Sequence, residues 1–512
     1  MKTLNKLFPL VLIFSVVLVY YESFLGVFIF DDYIWIVDNE NIKSFWTSLL
    51  YSSRPLTGLT LHFNYLVGGL KAADYHAFNL LVHIASVLLL FGLLCRTSGL
   101  PGLKDKIGHD AKLLAGIVSL IWGIHPIQTE SVTYIVQRSE SLMGMFYLLT
   151  LYCFVRGLTL QNNNNRWFLW GIISCSLGML CKPVMVTAPL VVILYDRTFI
   201  SGSLSEAFKE HKREYLLLVA TLFIPMSLLV APNESSTSAG FGAMAVGPLQ
   251  YLVTQCGVII HYVRLVIWPV GLCLDYDWIP SNISWKTIVE ISVVSLALVT
   301  SLWMFHKQRI EGFVAISFFV LLFPSSGIVP LSDCAAEHRM YLPSVCVIIF
   351  LFSGLFRFIY SVPLKYFSSS GLILILVVVM SGSLGVMTIA RNRLYLSEEH
   401  MWRDVVAQCP ANLRGHLGVG AVLLKQGNLE GAEHHFLRII EDPRSADNNY
   451  RRRFGTEFAM AYNNLGVIAF ERKQIEKASV FFERSLLFGK IINAEDNLRL
   501  VERLKKNNKV TK

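Results

Sequence analysis

The chain contains 512 residues, of which 54% are hydrophobic and only 16% are charged, and its formal net charge is +9. About a quarter of the residues in soluble globular domains are charged, so this composition excludes an ordinary soluble domain and indicates that much apolar surface faces lipid. Basic residues act as topology signals in membrane proteins. Because no basic cluster is interleaved with aromatic residues as in a nucleic-acid groove, we expect no nucleic-acid partner.

The first predicted element is an apolar run at 7–30, which follows a short basic N-terminus. It is longer than the apolar region of a signal peptide and ends without a small-residue cleavage site, so we expect it to remain as a membrane span. Further runs of the kind that span a membrane follow at 77–95, 112–124, 141–156, 167–181, 184–196, 215–231, 286–305, 311–330, 341–357 and 371–390. We therefore predict about 11 spans. The run at 251–269 carries His261 and Arg264 in its middle, which favours a helix at the membrane interface or packed against the bundle.

Lysine and arginine residues are unevenly distributed between the connecting segments. If the N-terminus is inside, most of them fall on cytoplasmic connections, for example Lys112, Arg166 and Lys212. The positive-inside rule then places the loop 31–75 and the region after residue 391 on the opposite side. We predict a multi-pass protein of a bacterial inner membrane, or of the endoplasmic reticulum in a eukaryote. The first loop and the C-terminal region would then be periplasmic or lumenal.

The nine cysteines include no CxxC pair, and the sequence predicts no metal site. Cys256, Cys273, Cys334 and Cys409 fall on the predicted outer side, where a disulfide could form but its pairing is open. The sequence contains neither a GxGxxG motif after a strand nor a Walker loop, which disfavours a nucleotide-sugar donor held in a soluble domain. We expect no cofactor, while a divalent metal stays an open alternative.

Two adjacent carboxylates, Asp31 and Asp32, come directly after the first span. A structural interpretation makes them interfacial residues that end a helix. A functional one makes one of them a general base whose pKa is raised by the other. The pattern alone does not decide between them, nor which aspartate would be the base.

Other charged and imidazole side chains lie at the ends of later spans, where polar residues are functional candidates. All of them are assigned to the same side as the acidic pair, and we predict that they converge on one site. They are Arg54, His125, Glu130, Arg138, Glu140, Lys182, Asp275, Asp277, Glu337, His338 and Arg339. For Arg54 an ion pair within its loop is the alternative, and His125 has no second ligand at a spacing typical of a metal site.

After residue 391 the sequence becomes charged and helix-forming, and a repeat occurs. Glycine, alanine and phenylalanine recur at the spacing of a tetratricopeptide (TPR) unit, at Gly420, Gly427, Ala432 and Phe436 and again at Gly466, Ala478 and Phe482. We predict two units, 1–391 as a transmembrane domain and 392–512 as a short TPR α-solenoid. The fold class is then all-α, a polytopic helix bundle followed by the solenoid.

The chain resembles the C-type polytopic glycosyltransferases, in particular the transmembrane-and-tetratricopeptide O-mannosyltransferases and their bacterial relatives. The matching segments are Phe30-Asp31-Asp32, Arg54-Pro55-Leu56-Thr57, Asn64-Tyr65, His125-Pro126, Thr129-Glu130, Arg138-Ser139-Glu140, Lys182-Pro183, Leu274-Asp275-Tyr276-Asp277-Trp278 and Glu337-His338-Arg339-Met340-Tyr341-Leu342-Pro343. Pro183 after the lysine resembles the bacterial branch. The resemblance implies that Asp31 and Asp32 are the catalytic acidic pair and that the sugar arrives on a polyprenyl or dolichyl phosphate.

From the resemblance we expect an inverting transfer of mannose or another hexose from this lipid-phosphate donor to a hydroxyl acceptor. The acceptor would be a protein or a glycan, with the repeats as its docking surface. Basic groups such as Arg138, Lys182 and Arg339 would stabilise the leaving phosphate. A membrane-anchored scaffold or assembly factor and a transporter of a lipid-linked sugar are the alternatives, and a transporter would be expected to carry polar groups near mid-span.

Overall fold

The computed structural model of the protein describes residues 4–100, 103, 111–160, 165–230, 247–362, 368–489 and 492–510. In these ranges the regular secondary structure is helical, so the predicted all-α class is confirmed. The helices up to the last apolar run are α1 (Leu4–Tyr20), α2 (Phe45–Leu50), α3 (Pro55–Gly68), α4 (Ala72–Ser98), α5 (Ala111–Gly123), α6 (Thr129–Val132), α7 (Arg138–Thr159), α8 (Asn165–Met179), α9 (Ala188–Phe199), α10 (Leu204–Ala220), α11 (Phe223–Val230), α12 (Pro248–Ile267), α13 (Trp285–His306), α14 (Ile310–Ser326), α15 (Pro343–Ser361) and α16 (Ser369–Leu394).

Every predicted apolar run coincides with one or two of these helices. In the described ranges, seven helices are long and apolar enough to cross a membrane, and there are eight if α5 and the bent segment Pro126–Val132 form one span. Four of the 11 predicted runs are missing from the count of eight, because α8, α9 and α14 have only 15, 12 and 17 residues and the run at 215–231 is divided between α10 and α11. The count includes α12, which was not among the 11 runs. The polytopic helix bundle is confirmed.

Helix α12 covers the run for which the sequence favours a helix at the membrane interface or packed against the bundle, although its length and composition would also allow a span. It packs against the end of α14 and the segment that follows it. Near the start of the helix, the Tyr251 hydroxyl donates to the Ser325 carbonyl at 2.7 Å. Eleven residues later, the Tyr262 hydroxyl donates to the Ala336 carbonyl at 2.9 Å. The N-terminal part of α12 therefore contacts the last turn of α14, and its C-terminal part contacts the segment between α14 and α15.

A buried polar and aromatic cluster fixes the start of α15 against α4 and α5. Trp122 Nε1 donates to the Tyr341 carbonyl at 2.8 Å, and His83 Nδ1 lies 2.9 Å from the Tyr341 hydroxyl. The other nitrogen of His83 lies 2.9 Å from the carbonyl of Gly123. Because all four side chains or backbone groups are buried, this cluster holds the segment before α15, which carries the predicted Glu337-His338-Arg339 motif, in a defined place.

The C-terminal helices form antiparallel pairs with the contacts that the repeat predicts. They are α17 (Glu398–Gln408), α18 (Leu413–Lys425), α19 (Leu429–Ile440), α20 (Asn448–Arg453), α21 (Gly455–Glu471), α22 (Ile475–Phe488) and α23 (Ile492–Val510). A Cβ atom built on Gly420 would lie 2.6 Å from the ring of Phe436, and one on Gly466 would lie 2.5 Å from the ring of Phe482. Glycine is therefore required where each phenylalanine packs across a helix pair.

The C-terminal helices share a hydrophobic cluster with the membrane bundle. Ile29, Tyr134 and Leu274 pack in one buried cluster with Trp402 and other residues of α17, α18 and α21. The predicted domain boundary at 391/392 falls in the last turn of α16, which runs on to Leu394. The helices after α16 therefore cover the part of the bundle that carries the acidic pair.

Candidate active site

The two aspartates have different environments. Asp32 is fully buried, and its carboxylate accepts hydrogen bonds from the backbone N–H of Ile29 at 3.1 Å and of Val136 at 2.8 Å. Asp31 is only partly buried; its backbone N–H donates to the Tyr134 hydroxyl at 2.9 Å. Asp32 therefore connects the loop after α1 to the segment before α7. The Asp31 carboxyl group interacts with the Tyr134 hydroxyl and stays partly exposed.

Burial raises the pKa of both carboxyl groups. For Asp31 the pKa rises to about 6, with the negative charge of Asp333 as the second cause, while the charges of Arg414 and Arg54 oppose the rise. For Asp32 burial raises the pKa to about 8, although the two backbone donors oppose it. Near neutral pH, Asp31 is therefore mainly ionised and able to accept a proton.

The backbone before the acidic pair is held in an unusual conformation. Phe30 has a φ of 49°, a left-handed value that a bulky residue rarely adopts. Its ring packs edge-on against Trp402 of α17, with the ring centroids 5.2 Å apart. The C-terminal helices therefore help to hold the turn from which Asp31 projects.

Asp31, Arg54, Glu140, Lys182 and His338 form one face, which we call the site face. Two partly buried cations, Arg54 and Lys182, lie on it. Lys182 Nζ forms an ion pair with Glu140 Oε2 at 2.6 Å. Arg54 Nη1 donates to the Ser139 hydroxyl at 2.9 Å, and Arg54 interacts electrostatically with Glu140 and Asp31. Burial lowers the pKa of both Lys182 and Arg54. Arg54 and Lys182 thus share Glu140 as a nearby carboxylate, and Arg54 also faces Asp31.

Glu130 and His338 form a second polar pair on the site face. His338 Nδ1 lies 2.6 Å from Glu130 Oε1, and the His338 backbone N–H donates to Glu130 Oε2 at 2.9 Å. Burial, followed by the charge of Lys182, holds the pKa of His338 well below its usual value. A neutral imidazole that donates from Nδ1 to the carboxylate leaves Nε2 as a hydrogen-bond acceptor.

Four further predicted site residues connect backbone segments or helices. Glu337 Oε1 accepts from the Cys273 backbone N–H and the Tyr276 hydroxyl, both at 2.5 Å. Arg339 donates to the backbone carbonyls of Cys334 and Asp333 at 3.0 and 2.6 Å.

The other two, Asp275 and Asp277, face arginines of the C-terminal helices. Asp275 lies 3.4 Å from Arg414, and Asp277 lies 3.1 Å from Arg444. These two carboxylates bind the repeat helices to the site face.

Arg138 and His125 are buried inside the protein. Arg138 is fully buried and donates to Asn79, Asn64 and the carbonyls of Thr60 and Tyr75, at 2.6–3.1 Å. His125 is also buried, with Nε2 3.0 Å from the Val266 carbonyl and Nδ1 accepting from the Ile127 N–H at 3.2 Å. The polar atoms of both side chains therefore form hydrogen bonds within the protein.

Among the described residues no cluster of His, Cys, Asp or Glu suits a metal ion.

Arg414 and Asp333 are site residues that sequence reasoning missed. Arg414 Nη1 lies 2.7 Å from Asp333 Oδ1, and Arg414 Nε lies 3.0 Å from Glu457 Oε1. Arg414 stands in the first turn of α18, where a cation is unfavourable to the helix dipole. This unusual position was the available signal. Through its effect on Asp31, the repeat region contributes a charge to the site.

A polar cavity of about 590 Å³ adjoins Arg54. Residues of the first loop form most of the cavity wall. Most of its polar side chains carry a hydroxyl or amide group, and two aromatic rings also line it. These polar and aromatic residues are Trp35, Asn39, Asn41, Thr47, Ser48, Tyr51, Ser52, Ser53 and Thr57. Hydroxyl and amide groups beside aromatic faces suit a polyhydroxylated or peptidic ligand.

A second, apolar groove of about 670 Å³ runs beside His125. Residues of α5, α15 and α16 and of the end of α12 form it, among them Ile121, Ile267, Phe352, Phe358 and Met387. Ile267 and Phe358 are exposed large apolar side chains. The groove has the chemistry of a site for a hydrocarbon chain.

Comparison with known proteins finds curated relatives along most of the chain. It is 27% identical over 493 residues to the human protein O-mannosyl-transferase TMTC4, covering 81% of this chain and 63% of that protein. It is 24% identical to human TMTC1, covering 88% of this chain and 55% of the relative. For the Caenorhabditis elegans protein O-mannosyl-transferase F38B6.6 the identity is 24%, with 85% and 62% covered.

The chain spans about three fifths of the length of these relatives. A comparison with protein families gives no match. The resemblance stated from the residue motifs is confirmed, and its placement in a bacterial branch stays a prediction.

Proposed function

We propose that this chain, which is TMTC-like over most of its length, is an inverting glycosyltransferase of the C type. It transfers a hexose from a polyprenyl-phosphate donor to a hydroxyl group, with mannose and a protein acceptor suggested by the names of its relatives. The observation that carries the proposal is the placement of Asp31, a partly buried carboxylate, on the same face as the cations Arg54 and Lys182.

In the proposed reaction, the Asp31 carboxylate accepts the proton of the acceptor hydroxyl. The acceptor oxygen forms a bond to the anomeric carbon while the bond from that carbon to the donor phosphate breaks, and the electron pair leaves with the phosphate. A pKa of about 6 suits this role, because a general base works best when its pKa lies near the operating pH. Attack opposite the leaving group inverts the anomeric centre.

Arg54 and Lys182 stabilise the negative charge that develops on the leaving phosphate. Charge stabilisation by fixed donors is strong in a site from which water is excluded. Arg138, for which the sequence predicts the same role, donates its hydrogen bonds to oxygen atoms of the protein itself. It instead holds α3, α4 and α7 together behind the site.

The reaction takes place on the side of the membrane that the lysine and arginine pattern makes periplasmic or lumenal. The polar cavity beside Arg54 offers room for the acceptor or the sugar, and the apolar groove beside His125 suits the polyprenyl chain.

The test of this function is transfer of radiolabelled mannose from polyprenyl-phosphate mannose to serine- and threonine-containing peptides by the purified full chain in detergent. Product that depends on both substrates and carries an inverted anomeric configuration supports the proposal. A folded protein that binds acceptor peptide without transfer would favour the scaffold interpretation, and transbilayer movement of the labelled lipid without transfer would favour a transporter.

A tryptophan in the apolar groove tests the donor's lipid chain. Gly354 lines the groove, and no heavy atom lies within 4 Å of a Cβ atom built on it, so Gly354→Trp fills space without a backbone clash. We expect the KM for a long-chain polyprenyl donor to rise about tenfold, equivalent to about 1.4 kcal/mol. The KM for a short-chain analogue should be unchanged.

The matched control is Gly382→Trp, since Gly382 also has open space around its Cβ position and is not among the groove-lining residues. An equal rise in KM for both donors, or the same effect in the control variant, would contradict this use of the groove.

The charges around Asp31 predict opposite shifts of the acid limb of the pH–rate profile. Turnover should fall as the pH drops through the pKa of Asp31, because protonation removes the base. Arg414→Gln removes a positive charge that lowers this pKa, so the limb should move to higher pH. Asp333→Asn removes a negative charge that raises it, so the limb should move to lower pH.

The measurement is kcat/KM against pH for both variants and for Asp38→Asn, which changes the net charge in the same loop at an exposed carboxylate. Shifts of the same sign in Arg414→Gln and Asp333→Asn would show that Asp31 does not set the acid limb.

A further inference from the structure

Two cysteines from distant parts of the chain meet at the junction between the bundle and the repeat helices. Cys273 follows α12 and is fully buried, and Cys409 follows α17 and is partly exposed. Both are free cysteines. The Cys273 thiol donates to the Asp275 carbonyl at 3.1 Å and also interacts with the neighbouring Cys409 thiol. Both residues fall on the side that the charge pattern places outside the cytoplasm.

Other contacts bring the two segments together independently of the sulfur atoms. The Asn412 side-chain amide, itself 1% exposed, donates to the Asp275 carbonyl at 2.8 Å. A Cβ atom on Gly271 would lie 3.8 Å from Gln408 Oε1. The residues that flank Cys409 on both sides therefore contact the residues that flank Cys273, so the two segments already lie side by side.

We propose that Cys273 and Cys409 form a disulfide that joins the membrane bundle covalently to the C-terminal helices. The cross-link is separate from the proposed glycosyl transfer. It would fix α17 and α18, and with them Arg414, against the Asp275 loop.

The bond forms by thiol–disulfide exchange with a small-molecule or protein disulfide of the oxidising compartment. Cys409 is the more accessible thiol, and a hydrogen bond from Cys273 lowers its pKa, so its thiolate attacks first. The attack gives a mixed disulfide and releases one thiol of the oxidant. Cys273 then loses its proton and attacks the Cys409 sulfur, which releases the second thiol. The two protein thiols are oxidised and the oxidant disulfide is reduced to two thiols.

The test is mass spectrometry of the full chain isolated from membranes of an expressing cell, with free thiols blocked by N-ethylmaleimide under denaturing conditions. After proteolysis without reduction, we expect one linked peptide that contains Cys273 and Cys409 and is lighter than the two thiol peptides together by two hydrogen atoms. Treatment with dithiothreitol before alkylation should abolish the linked peptide and give two alkylated ones.

Two variants provide the controls. Cys409→Ser should convert Cys273 to a fully alkylated thiol. Cys256→Ser should leave the linked peptide intact, because Cys256 is half-buried on the same predicted side and its thiol contacts the Leu252 carbonyl.

Full alkylation of both Cys273 and Cys409 in the wild-type chain, even after incubation with excess oxidised glutathione, would overturn the proposal. Linkage of Cys273 to a different cysteine would also overturn it. Because the measurement on the wild-type chain needs no variant, a variant that fails to fold does not weaken the test.

Discussion

Asp31→Asn is expected to lower kcat for glycosyl transfer by about 10² to 10⁴-fold, the range typical for loss of a positioned general base. Asparagine keeps the size of the side chain but cannot accept the proton of the acceptor hydroxyl. The Tyr134 hydroxyl bonds to the Asp31 backbone, so this contact survives the change. Transfer of radiolabelled mannose in detergent measures the effect, and the thermal unfolding temperature should be almost unchanged.

Asp32→Asn is the matched comparison, because the same chemical change falls on the neighbouring residue. Each Asp32 oxygen accepts from a backbone N–H, at Ile29 and Val136. Asparagine offers one acceptor and one donor group, so one buried N–H would lose its partner at a cost of about 1–3 kcal/mol. We therefore expect a lower unfolding temperature in this variant, with its loss of activity following its loss of folded protein.

The double variant Asp31→Asn, Asp32→Asn decides whether the acidic pair has any chemical role. If it folds and retains near wild-type transfer, the mechanism proposed here is wrong and another group must accept the proton. If Asp32→Asn, fully folded, loses as much activity as Asp31→Asn at unchanged stability, the division of roles between the two aspartates is wrong.

Arg54→Gln is expected to lower kcat by about 10² to 10³-fold, as does removal of one preorganised donor from a charge-stabilising site. The guanidinium is partly buried, and only its Nη1 hydrogen bond to Ser139 is described. Its charge can therefore act on the phosphate as the sugar leaves. Single-turnover transfer separates this effect from donor binding, and Arg54→Lys should retain part of the rate because it keeps the charge but loses the planar fork.

The Lys182–Glu140 pair distinguishes loss of charge from loss of folding. Lys182→Gln alone removes the ion-pair partner of the buried Glu140, and breaking a buried ion pair typically costs about 3–5 kcal/mol. The double variant Lys182→Gln, Glu140→Gln removes both charges and should recover most of that stability while transfer stays slow. Recovery of transfer together with stability would show that Lys182 is structural, and near wild-type transfer by a folded Arg54→Gln would contradict a role for Arg54.

The sequence by itself determined the apolar helices, and it predicts that the site residues meet on one side of the bundle. Apolar runs predict helices because the backbone must satisfy its own hydrogen bonds in lipid, and within the described residues each such run contains an α-helix. The repeat could also be predicted from the sequence, because the contacts Gly420–Phe436 and Gly466–Phe482 each lie within a single helix pair. Asp31, Lys182 and His338 were identified as candidate site residues because charged and imidazole groups at span ends are energetically unfavourable and therefore indicate a function.

Only the tertiary structure decided the roles of these residues. Arg138 and Lys182 are both basic residues at span ends, but Arg138 is held by oxygens of α3 and α4 and Lys182 faces Glu140. Asp31 differs from its neighbour Asp32 because the two N–H donors reach only Asp32. Arg414 and the Cys273–Cys409 contact join segments more than 80 residues apart in the chain. Sequence periodicity records the local face of a helix and contains no information on which distant group completes a hydrogen bond, so roles that depend on such partners emerge only when the chain is folded.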